Sequence, residues 1–307
     1  SNIPVGIGYY YDAIISGVSN TQGLVDGDYT RALNLLANQD DYKFNILLTP
    51  GLNDVDNASP ISTAINNTQM RGDSIYVVDL VPYGDSITTA IGNAGDRDTS
   101  YAAAYWPWCL VSDPDTGAQV WVPASTLIGG VYAFNDRSSE PWFAPAGINR
   151  GGLTNVIRPE RKLTASNRDD LYEANVNPIA SFPGTGVVVY GQKTLQKRAS
   201  ALDRVNVRRL LIELKNYIGQ VSQTLVFEQN TAATRNNFLA QVNPYLESVV
   251  QRSGLYAFKV VMDDSNNTPD VIDRNQMVGQ IFLQPTKTAE FIILDFNVLP
   301  TGATFPA

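Results

Sequence analysis

The chain contains no histidine and a single cysteine, Cys109, among 307 residues. Without imidazole, a Ser-His-Asp relay, a Cys-His pair, a histidine zinc site and the usual pH switch are all excluded. One cysteine cannot close an internal disulfide. Its surroundings, YWPWCL at 105–110, are apolar, so the expected role is a small buried core side chain, and a reducing compartment fits. Charge is also scarce, at 17% of residues, and 22 basic against 30 acidic side chains leave a net charge of −8. That balance removes the sequence-independent attraction to phosphate, so nucleic acid is not an expected partner. No apolar stretch approaches the ~20 residues that span a bilayer, so no membrane insertion is expected, and the first six residues lack the regions of a secretion signal. The chain opens without an initiator methionine and is expected to be a fragment.

What is present reads as a mixed α/β (α+β) fold: a sheet flanked by helices, a loop-rich middle and an extended terminal arm. Residues 44–49 and 74–80 are short apolar runs closed by Pro-Gly and Val-Pro-Tyr-Gly, which predicts buried strands. Helical spacing predicts helices over 29–38, 59–70 and 85–93, and a third apolar run over 102–111 completes a β-α-β-α-β order. A turn at 113–117 should fold 119–122 back on 108–111 as a hairpin, and 123–135 should be a helix with Leu127, Ile128, Val131 and Phe134 on one face. Residues 137–177 are rich in Pro and Gly, which places an internal boundary near Ala165. The expected organisation is residues 1–28 as the end of a preceding domain or linker, 29–165 as the first part of the core and 166–307 as the C-terminal part.

The longest predicted helix covers 200–219, where Val207, Leu210, Leu211, Leu214, Tyr217, Ile218 and Val221 fall within an arc of about 120°. A second helix is expected over 231–251, kinked or divided by Pro244. Strands are expected over 256–262, 277–283 and 290–299. Core burial is predicted for Trp106, Trp108, Leu210, Leu214 and Phe291.

Catalytic and binding motifs fail one after another. Asp40/Asp41, Asp169/Asp170 and Asp263/Asp264 are adjacent pairs whose side chains diverge in extended chain, so solvated turns are expected rather than glycosidase carboxylates. The polar run 263–268 has Thr where a calcium loop needs its glycine and Arg274 where it needs its glutamate. Gly184-Thr185-Gly186 lacks the third glycine of a dinucleotide loop and runs into a strand. Arg71-Gly72-Asp73 lies between a helix and a strand, where a polar turn is expected. No metal site and no cofactor site are expected. One surface pattern remains: with Arg204 at 0°, Arg208 falls at about 40° and Lys215 at about 20°, a basic stripe along the long helix. Two readings stand for it, docking onto an acidic partner or a solvated face with local partners such as Asp203 and Glu213.

A succession of blocks carries more information than any one motif. YAAAYWPW at 101–108, VPAS at 122–125, GVYA at 130–133, Asp136-Arg137 and WFAPAG at 142–147 are followed by FPGTG at 182–186, YGQKTL at 190–195, NVRRLL at 206–211 and VFEQN at 226–230. In this order they resemble the contractile tail sheath proteins of bacteriophages, with the wording of T4-like myovirus sheaths, from about Tyr29 to the C-terminus. The resemblance implies a structural virion protein without catalytic residues. Its subunits would polymerise around a tail tube, meet baseplate and tail terminator proteins, assemble in the host cytoplasm, and contract to drive the tube through the host envelope. It implies outward-facing domains before Ser1. It also implies that Arg204, Arg208 and Lys215 face the tube or another acidic subunit surface. The chain end is expected to add a strand to a neighbour: Ile292, Leu294, Phe296 and Val298 form one apolar set, and Phe291, Ile293, Asp295 and Asn297 the opposite set, which turns polar. An ordinary edge strand of the chain's own core is the alternative. A different function class, a carbohydrate-active tail or surface enzyme, would rest on unpaired carboxylates such as Asp79 and Glu228.

Overall fold

The computed structural model describes residues 25–290. Along the first third, α1 (Asp26–Leu36), β1 (Ile46–Leu48), α2 (Ala58–Arg71), β2 (Ile75–Val78), α3 (Ile87–Gly95) and β3 (Ala102–Trp106) follow the alternation that hydropathy predicts. Next come β4 (Cys109–Ser112), β5 (Gln119–Val122), α4 (Ala124–Ser138), α5 (Gly147–Arg150), β6 (Val156–Pro159), α6 (Ala165–Glu173), β7 (Val176–Phe182) and β8 (Gly186–Val189). A 3-10 turn at Ala201–Asp203 leads into α7 (Val205–Gln223), α8 (Ala232–Gln251), β9 (Leu255–Val261), α9 (Pro269–Asp273) and β10 (Gln280–Pro285).

The central sheet has the order β1-β2-β3-β7-β8, with the first four strands parallel and β8 antiparallel at the edge. Strands β2 and β3 are buried at every position, as their unbroken apolar sequence requires. Side chains alternate between two cores. Tyr76, Val78, Ala102, Ala104 and Trp106 pack with Leu33, Ile61, Ile65, Ala90, Ala94 and Leu171 from α1, α2, α3 and α6. Ile75, Val77, Ala103 and Tyr105 pack with Leu127, Ile128, Val131 and Tyr132 of α4 and with Val205 and Ile212 of α7. A third core joins α7 and α8 to β9 and β10 through Leu210, Leu214, Phe238, Val242, Leu246 and Leu255, with Trp142 inserted from the middle of the chain.

Local chemistry sets the ends of these elements. Ser86 and Thr231 accept the Thr89 and Thr234 amides at the starts of α3 and α8, and Thr164 with Asn167 closes a reciprocal capping box on α6. Gly72 ends α2 at φ 69°, a left-handed position that glycine adopts without penalty. Gly184 and Gly186, at φ 78° and 87°, form the turn between β7 and β8, so FPGTG is a hairpin turn.

The hairpin of β4 and β5 forms as expected but one residue further along, pairing 119–122 with 109–112, with Cys109 opposite Val122 and Leu110 opposite Trp121. Several expectations are corrected. The run 102–111 is not one strand: it divides at Pro107, and β4 leaves the central sheet to form a separate sheet of order β5-β4-β6. Proline has no N–H to donate, which weakens a central strand at that point, although β7 continues through Pro178 in the same sheet. Trp108, just past this break, is half-buried, its indole Nε1 donating to the Val81 carbonyl at 3.0 Å. Trp106, Leu210 and Leu214 are buried as predicted, while Phe291 lies outside the described residues. Phe134, on α4, is exposed although Leu127, Ile128 and Val131 are buried. Helix α8 runs through Pro244 as one element. No change of architecture occurs near Ala165: β7 pairs with β3 and β8 with β7, so the central sheet extends to residue 189.

Candidate functional site

Helix α7 occupies the seam between the central sheet and the helical layer; it carries Arg208 and Lys215 of the predicted stripe, while Arg204 is its N-cap residue in extended conformation. Its apolar arc behaves as expected, with Val207, Leu210, Leu214 and Val221 buried and Leu211, Tyr217 and Ile218 packed at the margin of the third core. The basic face does not. Arg208 is only 5% exposed; its Nε donates to the Ser100 carbonyl at 3.2 Å, its Nη2 bonds the Ser100 hydroxyl, and its Cζ lies 3.9 Å from the Tyr101 ring centroid. Burial pulls the Arg208 pKa below the ordinary guanidinium value. Arg204 is partly buried between Asp203 at 3.0 Å and Glu290 at 2.8 Å. Lys215 alone is exposed, its Nζ donating to the Tyr101 hydroxyl at 3.3 Å.

The expectation of a continuous basic docking stripe is therefore corrected. The periodicity is right, but α7 is covered on two sides, by the helical layer and by residues 99–101, which lead into β3. An arginine tolerates this position because its stem packs while its guanidinium finds a carbonyl, a hydroxyl and an aromatic face. The neighbouring Arg209 was not singled out by sequence reasoning. It is 3% exposed, bonds Asp136 at 2.6 Å and lies 4.7 Å from the Tyr132 ring centroid. The signal was the paired Arg within NVRRLL, with apolar residues on both sides. The residues Phe291, Ile293, Asp295 and Asn297 of the expected inter-subunit strand lie outside the described residues.

The last strand pair offers a different surface. Strands β9 and β10 form a two-stranded sheet whose Phe258, Val260, Ile281 and Leu283 pack on the third core, while Tyr256 and Phe282 project outward at 67% and 56% exposure. Neither strand has a second partner among the described residues, so each presents an unpaired backbone edge. The connection from α7 to α8 also projects apolar groups, with Val226 at 58% exposure and Phe227 fully exposed at φ 72°.

No catalytic arrangement comes together at the other candidates. Asp79 is buried beneath the N-terminus of α4, where its carboxylate accepts from the Ser125 amide at 3.0 Å and from the Ser125 hydroxyl. Burial pushes its pKa up to about 6, against the lowering effect of those hydrogen bonds. Glu228 is exposed in the connection between α7 and α8, in a different layer. The three Asp pairs are exposed, and among the described residues no group of three or more Cys, Asp or Glu side chains is placed to hold a metal. A polar cleft between α2 and residues 96–99 is lined by Ser62, Asn66, Gln69 and Asp98, and its one cation, Arg97, is already paired with Asp54. Arg71 of the Arg-Gly-Asp tripeptide is buried and clamped to Asp73 at 2.9 Å. Cys109 is fully buried, and burial pushes its thiol up to about 12. Among the described residues no helix is long and apolar enough to cross a membrane.

Comparison with known proteins gives concordant matches. Residues 9–195 match the family model for the phage tail sheath protein central domain, and residues 198–299 match that for the phage tail sheath C-terminal domain. The tail sheath protein of Vibrio phage KVP40 is 42% identical over 207 residues, covering 67% of this chain and 31% of that protein. The tail sheath protein of Enterobacteria phage T4 is 42% identical over 221 residues, covering 71% of this chain and 34% of that protein. The chain thus spans about a third of the length of the curated relatives it matches. Among solved structures, the sheath complex of an extracellular contractile injection system (PVC) in the contracted state superposes with a TM-score of 0.72 at 27% identity, covering 83% of this chain and 71% of that one. The contracted helical sheath of the anti-feeding prophage gives 0.71 at 26% identity, covering 89% and 74%.

Proposed function

Because the chain belongs to the phage tail sheath family, we propose that it is a structural subunit of a contractile tail, polymerising around a tail tube and rearranging to drive that tube through a host envelope. The observation that carries this reading is the match to both sheath domains in series on a fold that superposes on contracted sheaths. The chemistry agrees. A contracting polymer stores free energy in subunit contacts rather than in a bound nucleotide, and this chain offers unpaired strand edges and exposed apolar groups at β9, β10 and the α7–α8 connection. The carbohydrate-active reading is left with one buried carboxylate, Asp79, and one on an exposed turn, Glu228.

In this reading the subunit sits in the virion tail after assembly in the host cytoplasm, and its partners are its own copies, the tube, the baseplate and the tail terminator. The C-terminal segment, including Phe291, Ile293, Asp295 and Asn297, adds a strand to a neighbouring subunit, keeping the lattice connected as bodies rotate. Of the three basic residues, Lys215 would touch an acidic tube or subunit surface, a reading its exposure supports. One exposed cation contributes at most about 1 kcal/mol and is screened by salt, a grip that a sliding sheath can release. Co-expression with the tube protein followed by electron microscopy tests the function: tubular sheaths support it, and their absence contradicts it.

A further inference from the structure

Beyond β10 the chain does not leave the body at once. Three alternate residues are each held by a different part of the molecule. The Thr286 amide donates to the Gly254 carbonyl at 3.2 Å and its hydroxyl to the Ser253 carbonyl at 2.8 Å, at the start of β9. The Thr288 hydroxyl accepts from Asn206 Nδ2 at 3.2 Å and Gln192 Nε2 at 3.4 Å. The Glu290 carboxylate accepts from Arg204 Nε at 2.8 Å, from Gln192 Nε2 at 3.2 Å and from the Tyr172 hydroxyl. Residues 286–290 therefore run from the third core, across the first turn of α7, to the end of α6.

The seat for Glu290 is built for an anion. Arg204 also donates to the Tyr172 hydroxyl at 3.0 Å, and Lys193 lies 3.9 Å from the Tyr172 ring centroid while its Nζ donates to the Tyr172 carbonyl. Two cations, Arg204 and Lys193, thus gather in a partly buried place with two other carboxylates close by: Asp203, which pairs with Arg204 at 3.0 Å, and Glu173, whose charge acts on Lys193. Desolvation, and then the charge of Arg204, holds the Lys193 pKa below its usual value, while Glu290, Asp203 and Glu173 oppose this. Gln192 and Asn206 are 3% and 4% exposed, so the groups that hold the strap are fixed by the core.

We propose that residues 286–290 form a strap, with Glu290 as the positioning residue that fastens it to Tyr172, Gln192 and Arg204. The fastened strap sets where the C-terminal segment leaves its own subunit, and so its direction toward the neighbour it joins. This role rests on the sheath reading above, in which that segment pairs with another copy.

The test uses Glu290→Ala, Glu290→Gln and Tyr172→Phe in the full chain. Hydrogen exchange on unassembled protein reads the strap alone, and electron microscopy with the tube protein reads the assembly. Removing the carboxylate should speed exchange at 286–290 by on the order of tenfold, with smaller effects for Glu290→Gln and Tyr172→Phe and no change in α7 or the central sheet. The same variants should give short or irregular sheaths. Unchanged exchange at 286–290 in Glu290→Ala would show that the seat does not hold the strap, and faster exchange with sheaths of normal length would refute the positioning role. A wild-type chain that forms no sheath would overturn the sheath reading and the positioning role with it, while the exchange data would still measure the fastening.

Discussion

The Arg208 guanidinium lies 3.9 Å from the centroid of the Tyr101 ring, and this contact joins α7 to the entry of β3, the middle strand of the central sheet. The Tyr101 hydroxyl in turn accepts from Lys215 two turns further along the helix. One aromatic side chain thus holds two cations that occupy different environments, one buried and one in solvent.

That difference separates the two residues experimentally. Arg208→Ala removes a buried stack and leaves the Ser100 carbonyl without its donor, so it should destabilise the fold by about 2–4 kcal/mol in denaturant titrations. Lys215→Glu should leave stability within about 0.5 kcal/mol and weaken co-assembly with the tube, most clearly at low salt. Equal stability losses for the two would contradict the placement of α7.

Asp79 predicts a pH dependence with a definite sign. Its folded pKa of about 6 lies above the unfolded carboxylate value of about 3.9, so the native state holds the extra proton between the two. Its contribution is fully present below about pH 4 and is lost as pH rises through 6, a change of at most about 3 kcal/mol. Asp79→Asn can still accept from the Ser125 amide and should flatten this part of the profile. Glu160, raised to about 7 chiefly by burial, slopes in the same direction, so the test is the difference between wild type and variant from pH 4 to 7.

Two glycines in the helical layer should respond oppositely to alanine. At Gly254 an added Cβ would lie 2.6 Å from Val249 Cγ1 and 3.1 Å from the Trp142 ring, so Gly254→Ala should destabilise by about 1–3 kcal/mol. At Gly219, within α7, an added Cβ meets nothing within 4 Å, so Gly219→Ala should stabilise by about 0.5–1 kcal/mol. Thermal unfolding of the two variants checks both signs.

Strands β1 to β3 of the central sheet were legible because they are runs of apolar and aromatic residues and helices alternate with them, whereas β7 carries Asn177 and Ser181. The 120° arc of α7 likewise found Val207, Leu210, Leu214 and Val221. What periodicity could not reveal is how many sides of a helix are covered. The stripe at Arg204, Arg208 and Lys215 is geometrically real, yet whether a cation at a given angle meets water or Tyr101 depends on residues about 110 positions away. The division at Pro107 was within reach of sequence reasoning, since a missing N–H argues against a continuous central strand. Loop composition marks a boundary near Ala165, and it gives no sign that the stretch at 176–182 pairs with β3 across that point.

The central claim is that this chain is a polymer-forming sheath subunit, and electron microscopy of the purified chain mixed with its tube protein tests it most directly. The account predicts tubes decorated by regular helical or ring-stacked sheaths, shorter and wider once contracted. Bare tubes beside dispersed single chains, over a range of salt and pH, would contradict it.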